Sequence, residues 1–200
     1  MADHPPTLDL ALKEWASVTR LLLGGHHALL LRKGGIAEDD GPGRFHLEHD
    51  RFALFPAWEH ERTDWLKPTA RGASGGCPGP AAEPPARVHL HGHAEVARIW
   101  RVPSREAFDR LDDLHPWAAP QIDMRFGYKP DRPLYLLALR CFRWAAPHIV
   151  PYRDDYVGCR SWVPLEPADA VPDALIASAS PAMSHGDFAA VLSAVDAAFE

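Results

Sequence analysis

Apolar residues open the chain at three- and four-residue steps: Leu8, Ala11, Leu12, Trp15, Val18 and Leu22. That spacing predicts an amphipathic helix over 8–22, capped by Thr7 and stopped by Gly24-Gly25. Ala28 to Leu31 is short and continuously apolar, as in a buried strand that emerges at Arg32-Lys33 and breaks at Gly34-Gly35. Residues 38–44 then read as an exposed loop. Phe52, Leu54 and Pro56 alternate with Ala53 and Phe55, predicting a second strand whose end Pro56 marks.

Strand patterns return over 88–91 and 95–102, and Ser104 caps a predicted helix with Phe108, Leu111 and Leu114 on one face. Three further strands are expected over 122–126, 134–144 and 161–165. A last amphipathic helix carries Phe188, Val191, Leu192, Val195 and Phe199 behind Ser184, with Asp187 three residues on. Six or seven strands and about three helices, without regular alternation, point to an α+β class with a mixed, curled or barrel-like sheet. The expected organisation is one compact domain. It comprises 1–68 (helix and first strands), a flexible Gly/Pro-rich insertion over 69–86, and 87–200 (remaining strands and C-terminal helix).

Composition narrows the function classes. The 200 residues are 46% hydrophobic and 24% charged, enough for one sound core. A net charge of −6 argues against a general nucleic-acid coat, since non-specific binding rests on many phosphate neutralisations. The segment from Arg98 to Arg160 nevertheless holds 11 Lys and Arg against 8 Asp and Glu, so a local cationic pocket is open to it. The three cysteines Cys77, Cys141 and Cys159 show no C-x-x-C spacing, which fits a reducing cytoplasm better than a disulfide framework. Neither a leader pattern nor a run of about 18 apolar residues occurs, so no membrane is expected. Gly-x-Gly-x-x-Gly and the phosphate-loop pattern are absent, and no cofactor is called for.

Candidate chemistry gathers in a few segments. Arg32-Lys33-Gly34-Gly35 places two cations beside two glycines whose backbone can turn N–H groups towards an anion. Tyr156-Val157-Gly158-Cys159-Arg160-Ser161-Trp162 interleaves aromatics with a guanidinium; Tyr156 and Trp162 are the stacking candidates, with Cys159 and Ser161 beside them. Arg140 lies inside an apolar run, where it must be paired or face a cavity, and Arg125 could supply a second cation. Glu59-His60 follows Pro56-Ala57-Trp58 and could act in acid–base or metal chemistry, although neighbours on an extended strand face opposite ways. His89, His91 and His93 form the most metal-like string, with solvated imidazoles as the plainer reading.

The same residues carry a resemblance. Ala11-Leu12-Lys13-Glu14-Trp15, Leu30 to Ile36, Phe52-x-Leu54-Phe55-Pro56-x-x-Glu59-His60 and Gly158-Cys159-x-Ser161-Trp162 are spread over most of residues 8–165. In order and spacing they resemble the uncharacterised prokaryotic family grouped as domain of unknown function 1802. The chain departs from that family's pattern at Ala57-Trp58, where Thr-Tyr is more common, and at Glu61, where Gln is usual. The resemblance implies relatedness and brings no activity with it. The opening helix, glycine and strand ending in Arg also look like PUA-like domains such as the ASCH group, an analogy at the level of fold.

These readings lead first to a binding module for a nucleotide or short nucleic-acid segment, with Arg32 and Lys33 on phosphate and Arg125 and Arg140 completing the wall. The alternatives are a metal-assisted hydrolase or phosphodiesterase built on Glu59 and His60, and a scaffold that binds only a protein partner.

Overall fold

The computed structural model describes residues 8–33, 49–74, 85–156 and 161–200. The first element is a strand, β1 (Leu10–Trp15), and the first helix, α1 (Ala16–Leu23), begins only after it. The helical spacing over 8–22 was misleading because β1 is covered on both faces. Leu12 enters one apolar cluster and Ala11 the other, so apolar residues are not confined to every second position. Gly24 and Gly25 end α1 as expected; Gly25 has φ +73, and a side chain there would strike the Ala182 carbonyl.

Among the described residues seven strands form one sheet: β1, β2 (Leu29–Arg32), β3 (Arg51–Ala57), β4 (Arg87–Arg101), β5 (Tyr135–Pro151), β6 (Trp162–Pro164) and β7 (Ser180–Pro181). Their order is β2-β5-β4-β3-β1-β6, with β7 added to β5. The β1–β3 pair is parallel and the other pairs antiparallel, so the sheet is mixed. Among the described residues its edges β2 and β6 do not pair with each other, and the sheet stays open. Six α-helices accompany it among the described residues, where about three were expected: α1, α2 (Pro68–Ala73), α3 (Arg105–Asp109), α4 (Ala119–Gly127), α5 (Asp173–Ala177) and α6 (His185–Phe199). The fold is thus α+β.

Several expectations change in detail for identifiable reasons. Pro56 lies inside β3 rather than ending it, because β4 pairs only with Arg51 to Ala53 and no partner on that side needs an N–H from Pro56. The two strands expected over 88–91 and 95–102 are one, β4, with register shifts at Leu90/Gly92 and Val96/Arg98. Gly92 is required there, since a Cβ would meet the Phe142 carbonyl and the Leu23 side chain. Residues 122–126 form part of α4 instead of a strand; Pro120 sits in its first turn, and Ile122 and Phe126, four apart, face the core together. The stretch 69–86 begins in α2, with Ala70 buried, and its residues 75–84 lie outside the described residues. The caps at Ser104 and Ser184 form as expected, accepting from the N–H groups of Ala107 and Asp187.

Two apolar layers cover the sheet. One includes Leu12, Leu22, Leu30, Phe52, Leu136 and Phe188; the other includes Ala11, Phe55, Leu90, Trp144 and Val163. Among the described residues no helix is long and apolar enough to cross a membrane.

Among the described residues three histidines, His27, His93 and His115, are buried. Desolvation pushes His27 down to about 3 and His93 and His115 to about 4. Folded values lie below the unfolded value of 6.5, so the unfolded chain takes up protons first as pH falls. Stability should be full above about pH 6.5 and decline below it, by about 1–2 kcal/mol per histidine by about pH 5. Urea midpoints across this range test the sign. Because His115 stacks on Phe108 at 4.8 Å and 11° with both ring nitrogens unpartnered, His115→Phe should keep stability at neutral pH and make the decline shallower.

Candidate functional site

β3 runs into a tight turn, Trp58 to Glu61, closed by the Glu61 N–H donating to the Trp58 carbonyl at 3.2 Å. His60 sits in the turn at φ +60, a conformation uncommon for any residue but glycine. The turn ends strand alternation, and so the neighbours Glu59 and His60 line one cleft. Glu61 is turned the other way and is fully buried. Its Oε1 accepts from the Ser17 N–H at 2.8 Å and the Ser17 hydroxyl at 2.5 Å. It thereby satisfies the first turn of α1, whose own cap residue Trp15 offers no side-chain acceptor.

The cleft holds about 650 Å³ between the ends of β1, β2 and β3 and the helix α4. Lys13, buried on β1, donates to Glu59 Oε1 at 3.0 Å and to the Tyr156 carbonyl at 2.6 Å. The Tyr152 hydroxyl donates to the same Oε1 at 2.6 Å. Desolvation favours the neutral carboxyl, but the hydrogen bonds from Tyr152 and Lys13 outweigh it and hold Glu59 below the usual carboxylate range. Burial and then Glu59 push the Tyr152 phenol upward, so it stays a donor. At the end of β2, Arg32 pairs with Glu14 at 2.9 Å and donates to the Lys13 carbonyl at 2.9 Å, crossing from β2 to β1.

Arg125 projects from the last turn of α4 into the same cleft. Desolvation lowers its pKa, opposed by the field of Glu14 and reinforced by that of Arg32. Among the described residues no hydrogen bond or ion pair engages its guanidinium, and its Nε is buried without a partner. Among the described residues the lining holds four cations, Lys13, Arg32, Arg62 and Arg125, against the carboxylates of Glu14 and Glu59, and Arg62 is itself paired with Asp64 at 2.8 Å. Trp15, Trp65 and Tyr128 add aromatic surface, with Tyr128 49% exposed.

Of the residues expected from sequence, Arg32, Glu59, His60, Arg125 and Ser161 meet in this cleft. Lys33 does not emerge; it is buried and donates to the carbonyls of Arg125 at 3.1 Å and Phe126 at 3.0 Å, closing the end of α4. Arg140 lies elsewhere, 5.2 Å over the Phe188 ring on α6. Tyr156 is a core residue whose hydroxyl bonds Asp169 at 3.2 Å, and only its carbonyl reaches the site. Trp162 packs edge-on against Phe52 at 5.1 Å in the first apolar layer. His93 is buried and accepts from Trp144 Nε1 at 2.9 Å, while His89 and His91 lie on another surface. Among the described residues no three His, Cys, Asp or Glu side chains gather as a metal set. Gly34, Gly35 and Cys159 lie outside the described residues. Lys13, Glu14 and Tyr152 were missed. The signal was present in Lys13-Glu14 inside an apolar run, but a helical reading of 8–22 sends both to solvent.

The chain belongs to the family described as Domain of unknown function (DUF1802), whose model matches residues 11–194. No curated protein matches it. Among solved structures, the chain is similar to the ASCH protein of Zymomonas mobilis, at 12% identity and a TM-score of 0.44, over 86% of this chain and 95% of that one. Two point mutants of that protein match alike, at 12% identity with TM-scores of 0.44 and 0.46, over 86% of this chain and 98% and 96% of theirs. At that level of likeness no residue role is carried over.

The capping role of Glu61 predicts a graded response. Glu61→Gln retains an acceptor oxygen for Ser17 and should stay within about 1 kcal/mol of the parent, whereas Glu61→Ala orphans two buried donors and should cost about 2–3 kcal/mol. Denaturant midpoints of the two variants test the ordering.

Proposed function

We propose that the cleft binds a phosphate-bearing ligand, a nucleotide or a short single-stranded segment of RNA or DNA. The observation that carries this reading is the half-buried, unpartnered guanidinium of Arg125 beside the Arg32–Glu14 pair. A desolvated cation without a counter-charge is costly, and an arriving phosphate would supply that charge and accept a fork of N–H donors. Trp15, Trp65 and Tyr128 would take the stacking role expected of Tyr156 and Trp162, a sequence-tolerant contact of about 1–3 kcal/mol per base. Glu59, held ionised by Lys13 and Tyr152, offers an acceptor for a sugar hydroxyl or a base N–H.

A second reading, hydrolysis of a bound ester or amide, is favoured by one observation: Glu59 Oε1 collects an ammonium at 3.0 Å and a phenol at 2.6 Å at the cleft wall. There the carboxylate would accept a proton from an attacking water. A Glu59→Gln variant separates the readings. Under hydrolysis it retains binding and loses product formation, and under binding alone the parent forms no product.

Binding of 5′-AMP and a fluorescent short oligoribonucleotide should be saturable, weaken with salt, and fall about 10- to 100-fold in Arg125→Ala. The melting temperature of that variant should not fall, because no described group in the fold pairs with Arg125. Titration calorimetry, anisotropy and a thermal melt check the three statements. Equal binding by parent and variant would remove the reading, and an absence of nucleotide binding would turn attention to a protein partner.

A further inference from the structure

A second cavity, of about 530 Å³, lies on the other side of β3. Strand alternation separates the two: Ala57 faces the first cleft, while Leu54 and Pro56 face this one, joined by Trp58 at the start of the following turn. The floor is apolar. Ala16 and Leu23 of α1 and Leu54 of β3 are buried there, and Trp58 forms a half-buried wall.

The rim has one sign of charge. Arg20 comes from α1, Arg87, His89 and His91 come at two-residue steps from β4, and Arg143 comes from β5. Among the described residues no carboxylate lines the cavity. Among the described residues the three arginines form no ion pair, and Arg20 bonds only the Ser74 carbonyl, at 3.3 Å. The rings of His89 and His91 stand 6.3 Å apart. Burial lowers the His91 pKa first, and the fields of His89 and Arg20 lower it further, so the rim is positive enough to act on its own members.

Three guanidiniums that repel one another around an apolar floor are balanced by an occupant with both properties. Its head must be negative and accept hydrogen bonds, and its body must be apolar. The volume lies in the range of small-molecule sites, which combine an apolar lining with a few polar groups that orient the ligand. We propose that this cavity is a second ligand site, for an organic anion. A carboxylate, sulfonate or phosphate head would lie among Arg20, Arg87 and Arg143, and an aryl or acyl body would lie on Leu23, Leu54 and Trp58. The two sites occupy opposite faces of β3, and neither depends on the other being filled.

The probe is 1-anilinonaphthalene-8-sulfonate, which joins an anionic head to an aryl body and fluoresces when its body leaves water. One saturable site is expected on the native parent protein, displaced by octanoate and by phenyl phosphate, and displaced much less by inorganic phosphate or octanol, which each lack one half of the chemistry. An Arg87→Ala, Arg143→Ala double variant should bind the probe about 10-fold or more weakly with an unchanged melting temperature, since neither arginine makes an ion pair with any described residue. Arg125→Ala, which tests the nucleotide cleft, should leave probe binding unchanged. Probe binding that is the same in the double variant, or that inorganic phosphate or octanol displaces as well as octanoate does, would overturn the proposal.

Discussion

The structure turns on the buried ammonium of Lys13. A Lys on a strand covered on both faces cannot reach bulk water, and an unpaired charge there would be too costly to keep. Its needs therefore fix what surrounds it. Glu59 must be brought to it by the 58–61 turn, the Tyr156 carbonyl by the short 3-10 turn after β5, and Tyr152 joins by sharing the Glu59 oxygen. The same turn that delivers Glu59 buries Glu61 against Ser17 and starts α1. Local strain at His60 persists because contacts on both sides of it are fixed.

The charge balance of the cleft follows from that arrangement. Glu59 answers Lys13, Glu14 answers Arg32, and no described carboxylate pairs with Arg125, which feels Glu14 only through its field. The position of Arg125 is itself held, because Lys33 donates to the carbonyls at the end of α4, where a cation complements the helix dipole. Lys33 thus contributes to the site as a brace. A chain of net charge −6 in this way presents a cationic concavity, a local property that the overall charge conceals.

Much of the fold could be read in the sequence where one physical signal dominated. β2 and α6 stand close to where the apolar run and the Ser184 cap placed them, and β5 begins where its apolar run does but continues past Trp144 to Pro151. β1 could not be read so easily, because burial on both faces erases the period-two pattern that distinguishes a strand. α4 was lost for a related reason: Ile122 to Phe126 is too short a window to separate a strand from one helical turn. In the site, Arg32, Glu59, His60 and Arg125 were recognisable as unusual residues one at a time. Their convergence was not, since it depends on which face of β1 carries Lys13 and on a left-handed residue at His60. Arg140 and Trp162 show the converse. Each looked like a site residue by its type, and each is occupied by an aromatic contact in the apolar layer beside α6 or β3.

The central claim is that Arg125 waits for an anion that no described group in the fold supplies. The most direct test is to follow the arginine Nε–H resonances of the isotopically labelled protein during a titration with 5′-AMP. The account predicts that the Arg125 signal moves saturably, together with the indole signals of Trp15 and Trp65, while Arg140 stays in place. An Arg125 signal that remains fixed while 5′-AMP is bound elsewhere would contradict it.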